Sequence, residues 1–205
     1  MTRKLKIYLR DLKNILTYGL SAPRYNELIW IDPKEVNYMI DREEVLRVSG
    51  VHRSNASGVV IDWNDVKNIK PITDEFRIRY CYEHWKNGKT WEELGVIEHM
   101  KSAKKYKNWP YAKIKNRFSM LDKTFDQVKK EGRLKTRKEI NSNNFRESAG
   151  ILIHIGKEGK PYFGGSGFHR LAMAKVLKLE RIPAYVGLVH YNSIPYLNKY
   201  REKKI

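Results

Sequence analysis

Seven residues, "GGSGFHR" from Gly164 to Arg170, hold three glycines, a serine, a histidine and an arginine, and an apolar run "LAMAKVL" follows at once. The first N–H groups of a helix lack intrahelical partners and carry partial positive charge, so a loop without side-chain bulk lets an anion approach them. Gly164, Gly165 and Gly167 offer that access, and Ser166 adds a hydroxyl. His169 and Arg170 fall in the opening turn, where the arginine presents a planar fork of donors to phosphate oxygens. The chemistry expected of this stretch is phosphate binding. Glycines also shape tight turns for conformational reasons alone, and the pattern by itself leaves both readings open.

Other reactive side chains narrow the choice. His52, His84, His99, His154 and His190 show neither H-x-x-x-H nor H-E-x-x-H spacing, which gives no support to a zinc site. Cys81 is the single cysteine, so internal disulfides and thiolate metal clusters are excluded, and it reads as a core residue of a reducing compartment. Trp30, Trp85 and Trp91 read as core side chains. Lys and Arg number 41 against 23 Asp and Glu, a formal net charge of +18, which attracts nucleic acid, acidic membrane surfaces and phosphorylated small molecules alike.

The elements that must carry these residues follow from periodicity. "GILIHIGKEGKPYFGG" predicts a hairpin leading into the glycine loop; Leu171, Ala174 and Leu177 give the next helix a core side, and "RIPAYVGLVH" predicts a strand with Pro183 near its start. Upstream, "ELIWID" predicts a short buried strand ended by Asp32-Pro33. The middle of the chain turns helical: Ile78, Cys81, Tyr82 and Trp85 share a face before Asn87-Gly88, Thr90 and Glu93 form a capping box that starts another helix, and Leu121, Phe125 and Val128 lie in register ahead of a Gly132 cap. Leu5, Leu9, Leu12 and Leu16 form one side of a basic amphipathic helix, expected to dock on the core, with an anionic membrane surface as the other reading. No apolar run is long enough to span a membrane and no cleavable signal fits, so a cytoplasmic protein, with peripheral membrane contact open, is expected.

A hairpin, a Gly-x-His-Arg loop, the helix "RLAMAKVL" and an "IP" that opens a strand together resemble the ParB/sulfiredoxin superfamily over residues 151–190. "LDKTFDQVKKEG" resembles the helix that precedes the hairpin in ParB-type domains, and "ELIWIDPKEV" the superfamily's first strand. The resemblance implies an α+β fold with a small mixed sheet and flanking helices: a basic amphipathic segment and connector over residues 1–26, then one domain over 27–205 with a helical insertion at about 50–115. It also implies that Gly164, Gly165, Ser166, Gly167, His169 and Arg170 hold the phosphates of a nucleotide (ATP, ADP or CTP) with magnesium beside them. Sulfiredoxins carry a catalytic cysteine immediately before the His-Arg pair; Phe168 holds that place here, which excludes their chemistry. ParB proteins that use CTP carry Gly-Glu-Arg-Arg, whereas Gly-Phe-His-Arg is closer to members that phosphorylate free serine. By that likeness the activity is phosphotransfer to a small-molecule or glycan-like acceptor, or nucleotide hydrolysis. The carboxylate it needs is sought after the first strand, at Asp41, Glu43 or Glu44, or at Glu147 ahead of the hairpin.

Two other readings stand beside this one. "CYEHWKNGKTWEELGV" has the outline of a helix-turn-helix within residues 75–115, followed by Lys101, Lys104, Lys105, Lys107, Lys113 and Lys115, which would bind nucleic acid through phosphates. A noncatalytic adaptor held at a membrane by residues 3–16 is the third.

Overall fold

In the computed structural model, which describes residues 3–202, "ILIHI" is buried at every position and pairs on both edges, as expected of an isoleucine-rich central strand. In chain order the elements are α1 (Arg3–Tyr18), β1 (Leu28–Ile31), β2 (Tyr38–Ile40), α2 (Arg42–Ser49), β3 (Val60–Ile61), β4 (Ile69–Pro71), α3 (Phe76–Trp85), α4 (Val96–Ser102), α5 (Tyr111–Glu131), α6 (Arg137–Ile140), β5 (Ile151–Ile155), β6 (Pro161–Phe163), α7 (Phe168–Val176), β7 (Ile182–His190) and α8 (Leu197–Arg201). The fold is α+β, with one small mixed open sheet and eight α-helices among the described residues. Residues 1–2 of the segment 1–26 and residues 203–205 of the domain lie outside the described residues, as do the side chains of Arg3 and Lys4.

The sheet runs β1-β7-β5-β6-β2-β4, with β3 pairing on β7. β5 and β7 are parallel, the β5–β6 hairpin sets Ile153 opposite Phe163, and β6 lies parallel to β2 through Phe163 and Met39. Strand alternation divides the core. Met39, Phe163 and Val189 join the larger cluster with α3, α4, α5 and α7, while Ile40, Tyr162 and Leu188 pack with Val45, Ala56 and Trp63. Helix α7 buries Phe168, Leu171, Ala172, Met173 and Ala174 and packs against α3, α5 and β5. Each of the larger side chains so buried contributes about 1.5–3 kcal/mol.

Two expectations are corrected. The stretch 50–115 is not helical throughout: it contributes β3 and β4 to the sheet, and its first α-helix is α3. The Thr90–Glu93 box forms, with Glu93 N donating to Thr90 Oγ1 at 3.1 Å, but it closes a turn, and α4 begins only after Gly95 at φ +62°. The leucine side of α1 does not dock on the core either. Ile7, Asp11 and Asn14 are buried, while Leu5, Leu9, Leu12 and Leu16 are 48%, 48%, 51% and 78% exposed. The inward face is chosen by hydrogen bonding: Asn14 Nδ2 donates to Pro23 O (2.8 Å) and Gly58 O (2.7 Å), and Asp11 Oδ1 accepts from Tyr25 N at 2.8 Å. Left buried without partners, those backbone groups would each cost about 1–3 kcal/mol.

Candidate functional site: a cationic cleft at the start of α7

The glycine loop folds back onto β5. Gly164 N donates to Leu152 O at 2.9 Å, and Leu152 N donates to Ser166 O at 3.1 Å. A Cβ on Gly164 would stand 2.5 Å from Leu152 Cγ and 2.7 Å from His154 Nε2, so this glycine is required by close packing. Gly165 is left-handed at φ +76° and its carbonyl accepts from the Arg53 guanidinium. Ser166 turns its hydroxyl toward Gly150 O, 3.3 Å away. Gly164 and Gly165 are buried, which corrects the expectation that the whole loop faces a ligand. Its open side is its last residue, Gly167 (φ +85°), which caps α7 without a side-chain hydrogen bond.

From Gly167 a cleft of about 890 Å³ opens between α7, α3, α4 and α5. His169 and Arg170 line it together with three arginines brought from elsewhere, Arg77, Arg117 and Arg137. Against these four guanidinium groups stand two carboxylates, Asp74 and Glu75, and Glu75 Oε1 is taken by Arg77 Nε at 2.7 Å. Phe76, Tyr80, His99, Tyr106, Phe118 and Phe168 form the aromatic wall, with the Arg77 guanidinium 3.4 Å from the centre of the Phe168 ring.

The cations at the back of the cleft are incompletely satisfied. Arg170 donates from Nη2 to Lys135 O at 2.5 Å, while its Nε, the Nε of Arg137 and Oε1 of Glu147 are buried with no hydrogen-bond partner. Among the described residues neither arginine is in an ion pair. Burial pulls the Arg170 pKa down, opposed chiefly by the charge of Glu147. Burial likewise pushes the Glu147 carboxyl above its usual range, although Arg137 N donates to its Oε2 at 2.8 Å. An anion arriving here would set negative charge beside two guanidinium groups that have no ion-pair partner among the described residues.

His169 is a different kind of group from the one its sequence position suggests. Its Nε2 lies 2.6 Å from the Tyr80 hydroxyl, and burial, with the positive charges of Arg117 and Arg77, lowers its pKa to about 4. The ring is therefore neutral at pH 7 and acts through hydrogen bonds, not charge. With Tyr80 as donor, the ring proton sits on Nδ1.

The carboxylates expected to do chemistry are placed elsewhere. Asp41 caps α2, accepting from Glu44 N at 3.1 Å, and Glu43 is exposed beside Arg42. Glu44 is buried, its pKa lowered to about 2 by Arg47 and by the N–H of Lys67 at 2.7 Å, so it ties α2 to the approach to β4. None of the three lines the cleft, and Glu147 stands behind Arg137 and Arg170. Asp74 lines it and has no hydrogen-bond or ion-pair partner among the described residues. Asp74, Arg77, Tyr80, Arg117 and Arg137 were not singled out by motif. Arg77 and Tyr80 share a face by their i, i+3 spacing, but only the packing of α3 on α7 gives that face a meaning.

The helix-turn-helix outline resolves into a clamp. Trp85 Nε1 and Trp91 Nε1 donate to the two oxygens of Asp122 in α5 at 3.0 and 2.9 Å, and His84 Nε2 lies 3.0 Å from the first. Helix α4 has seven residues, three of them buried. Cys81 is fully buried in α3 and its thiol is pushed up by burial. None of the family models, curated proteins or solved structures compared with the chain matches it.

Proposed function

We propose that the cleft binds a nucleotide (ATP, ADP or CTP), with its phosphates between the first turn of α7 and Arg77, Arg117, Arg137 and Arg170, and its base against the aromatic wall. The single observation that carries this is the convergence of four arginines, two with buried and unpartnered Nε atoms, on a helix N-terminus that lacks a side-chain cap. The volume is in the range that holds a cofactor-sized ligand. The run of hairpin, glycine loop, α7 and β7 supports a ParB/sulfiredoxin-type reading of the same site.

Phosphotransfer to a small-molecule or glycan-like acceptor, or hydrolysis, is the activity this reading favours. Magnesium travelling with a nucleotide keeps mostly phosphate and water ligands, and Asp74 is the cleft carboxylate available to join them. Arginine clamps of this kind position and neutralise the phosphoryl group, which is most of what such transfer requires.

Thermal melting with ATP, ADP and CTP, with and without magnesium, tests the proposal. Ligand at about a hundred times its Kd raises the melting temperature by roughly 5–10 °C. No rise with any of them, or a rise that persists unchanged in both Arg117→Ala and Arg170→Ala, overturns it.

A second reading rests on Lys101, Lys104, Lys105 and Lys107, all exposed and without a carboxylate partner among the described residues. They suit weak, sequence-independent contact with nucleic acid, which a gel shift that fades with salt would reveal.

A further inference from the structure

Helix α1 is mounted with its polar face inward. Asp11 and Asn14 are 6% and 8% exposed and hold backbone groups of the connector and of Gly58, while Tyr8, Leu9, Leu12 and Leu16 point outward and Leu20, just beyond the helix, is 84% exposed. An apolar stripe of this length on the outside of a charged protein calls for a cover.

The charges around the stripe choose the cover. Lys6 and Lys13 are exposed and fall on one flank of the leucines, two turns apart. The only acidic residue of the helix is Asp11, buried and paired with Arg146 at 2.8 Å, so no negative charge of α1 faces outward. A second copy packed on this stripe would add further lysines and no outward carboxylate of α1 to neutralise them. A lipid surface of negative charge has the matching sign, and lysine stems can lie along apolar surface with the ammonium group at the headgroups. Tyr8, 52% exposed at the edge of the stripe, and Tyr18, 40% exposed near its end, have the amphipathic rings that suit a membrane interface.

We propose that α1 lies flat on anionic bilayers, its leucines in the acyl boundary and Lys6 and Lys13 on lipid phosphates. This stands on α1 alone and is independent of what the cleft binds.

Flotation of the full chain on vesicles tests it, using phosphatidylcholine alone and phosphatidylcholine mixed with phosphatidylglycerol. The chain is expected to float with the mixed vesicles and not with phosphatidylcholine. Leu12→Glu with Leu16→Glu lowers the bound fraction more than about tenfold. Lys6→Glu with Lys13→Glu also lowers it, and neither pair changes the melting temperature, because all four side chains are exposed. Failure to float on anionic vesicles, or flotation that the leucine pair leaves unchanged, overturns the proposal. A wild-type dimer in sedimentation that the leucine pair converts to monomer, without anionic flotation, overturns it in favour of a second copy.

Discussion

The hydroxyl of Tyr80 stands 2.6 Å from Nε2 of His169, and this contact joins α3 to the first turn of α7 across the cleft. It fixes the orientation of the imidazole and sets the distance between the two helices that carry Arg77 and Arg170. Tyr80→Phe is expected to cost about 1 kcal/mol of stability and to weaken nucleotide binding several-fold. Paired urea unfolding and calorimetric titration check both. Full retention of affinity would remove His169 from the site.

Arg117 gives the cleanest test of the cationic cleft. It is exposed and has no hydrogen bond or ion pair among the described residues, so Arg117→Ala should leave the melting temperature within about 2 °C of wild type. Affinity for ATP should fall about tenfold. Arg170→Ala is a harsher change, since it strips charge from beside the buried Glu147, and its binding defect is meaningful only next to the Arg117 result.

The loop glycines should behave as structural residues. Gly167→Ala places a Cβ 2.8 Å from Ile151 Cα at φ +85°, and Gly164→Ala meets Leu152 and His154, so each should cost about 2–4 kcal/mol. Ser166→Ala should cost about 1 kcal/mol or less and leave nucleotide affinity intact, because the hydroxyl faces Gly150 O. Lost affinity in a fully folded Ser166→Ala chain would return the serine to the phosphate site.

Acid should destabilise the fold before carboxylates protonate. Burial lowers His169 to about 4 and His154 to about 3, against about 6.5 in an unfolded chain. Between those values the unfolded state binds more protons. Stability is thus complete above about pH 6.5 and declines as pH falls toward the folded values, by up to about 1.4 kcal/mol per pH unit for each histidine. Urea unfolding across this range reads the slope, and His169→Gln should reduce it by about one histidine's share. Stability that rises on acidification contradicts the burial of both rings.

Asp122 should matter although it does not line the cleft. It accepts from Trp85, Trp91 and His84, and Asp122→Ala leaves two indole N–H groups unpaired, at a cost of about 2–3 kcal/mol. A melting temperature lowered by roughly 5–10 °C is expected, with weaker nucleotide binding as α3 loses its alignment on α5.

Local signals carried much of the fold. The hairpin, α7 and β7 were legible because their glycines, apolar spacing and Pro183 act over a few residues, and Gly132 takes the left-handed cap at φ +65°. The candidate site was legible at Gly167, His169 and Arg170. Arg77, Arg117 and Arg137 come from three separate elements, and nothing local distinguishes them among so many basic residues.

The sequence alone determined which residues share a face: the leucine stripe of α1, the buried run of β5, the apolar side of α7. Tertiary structure decided which way each face points and what meets across the cleft. Periodicity is a property of one helix, whereas burial depends on hydrogen bonds to distant backbone, such as Asn14 to Gly58, and on which helices a shared core brings together. That is why α1 shows its leucines to solvent and why four arginines gather at one helix end.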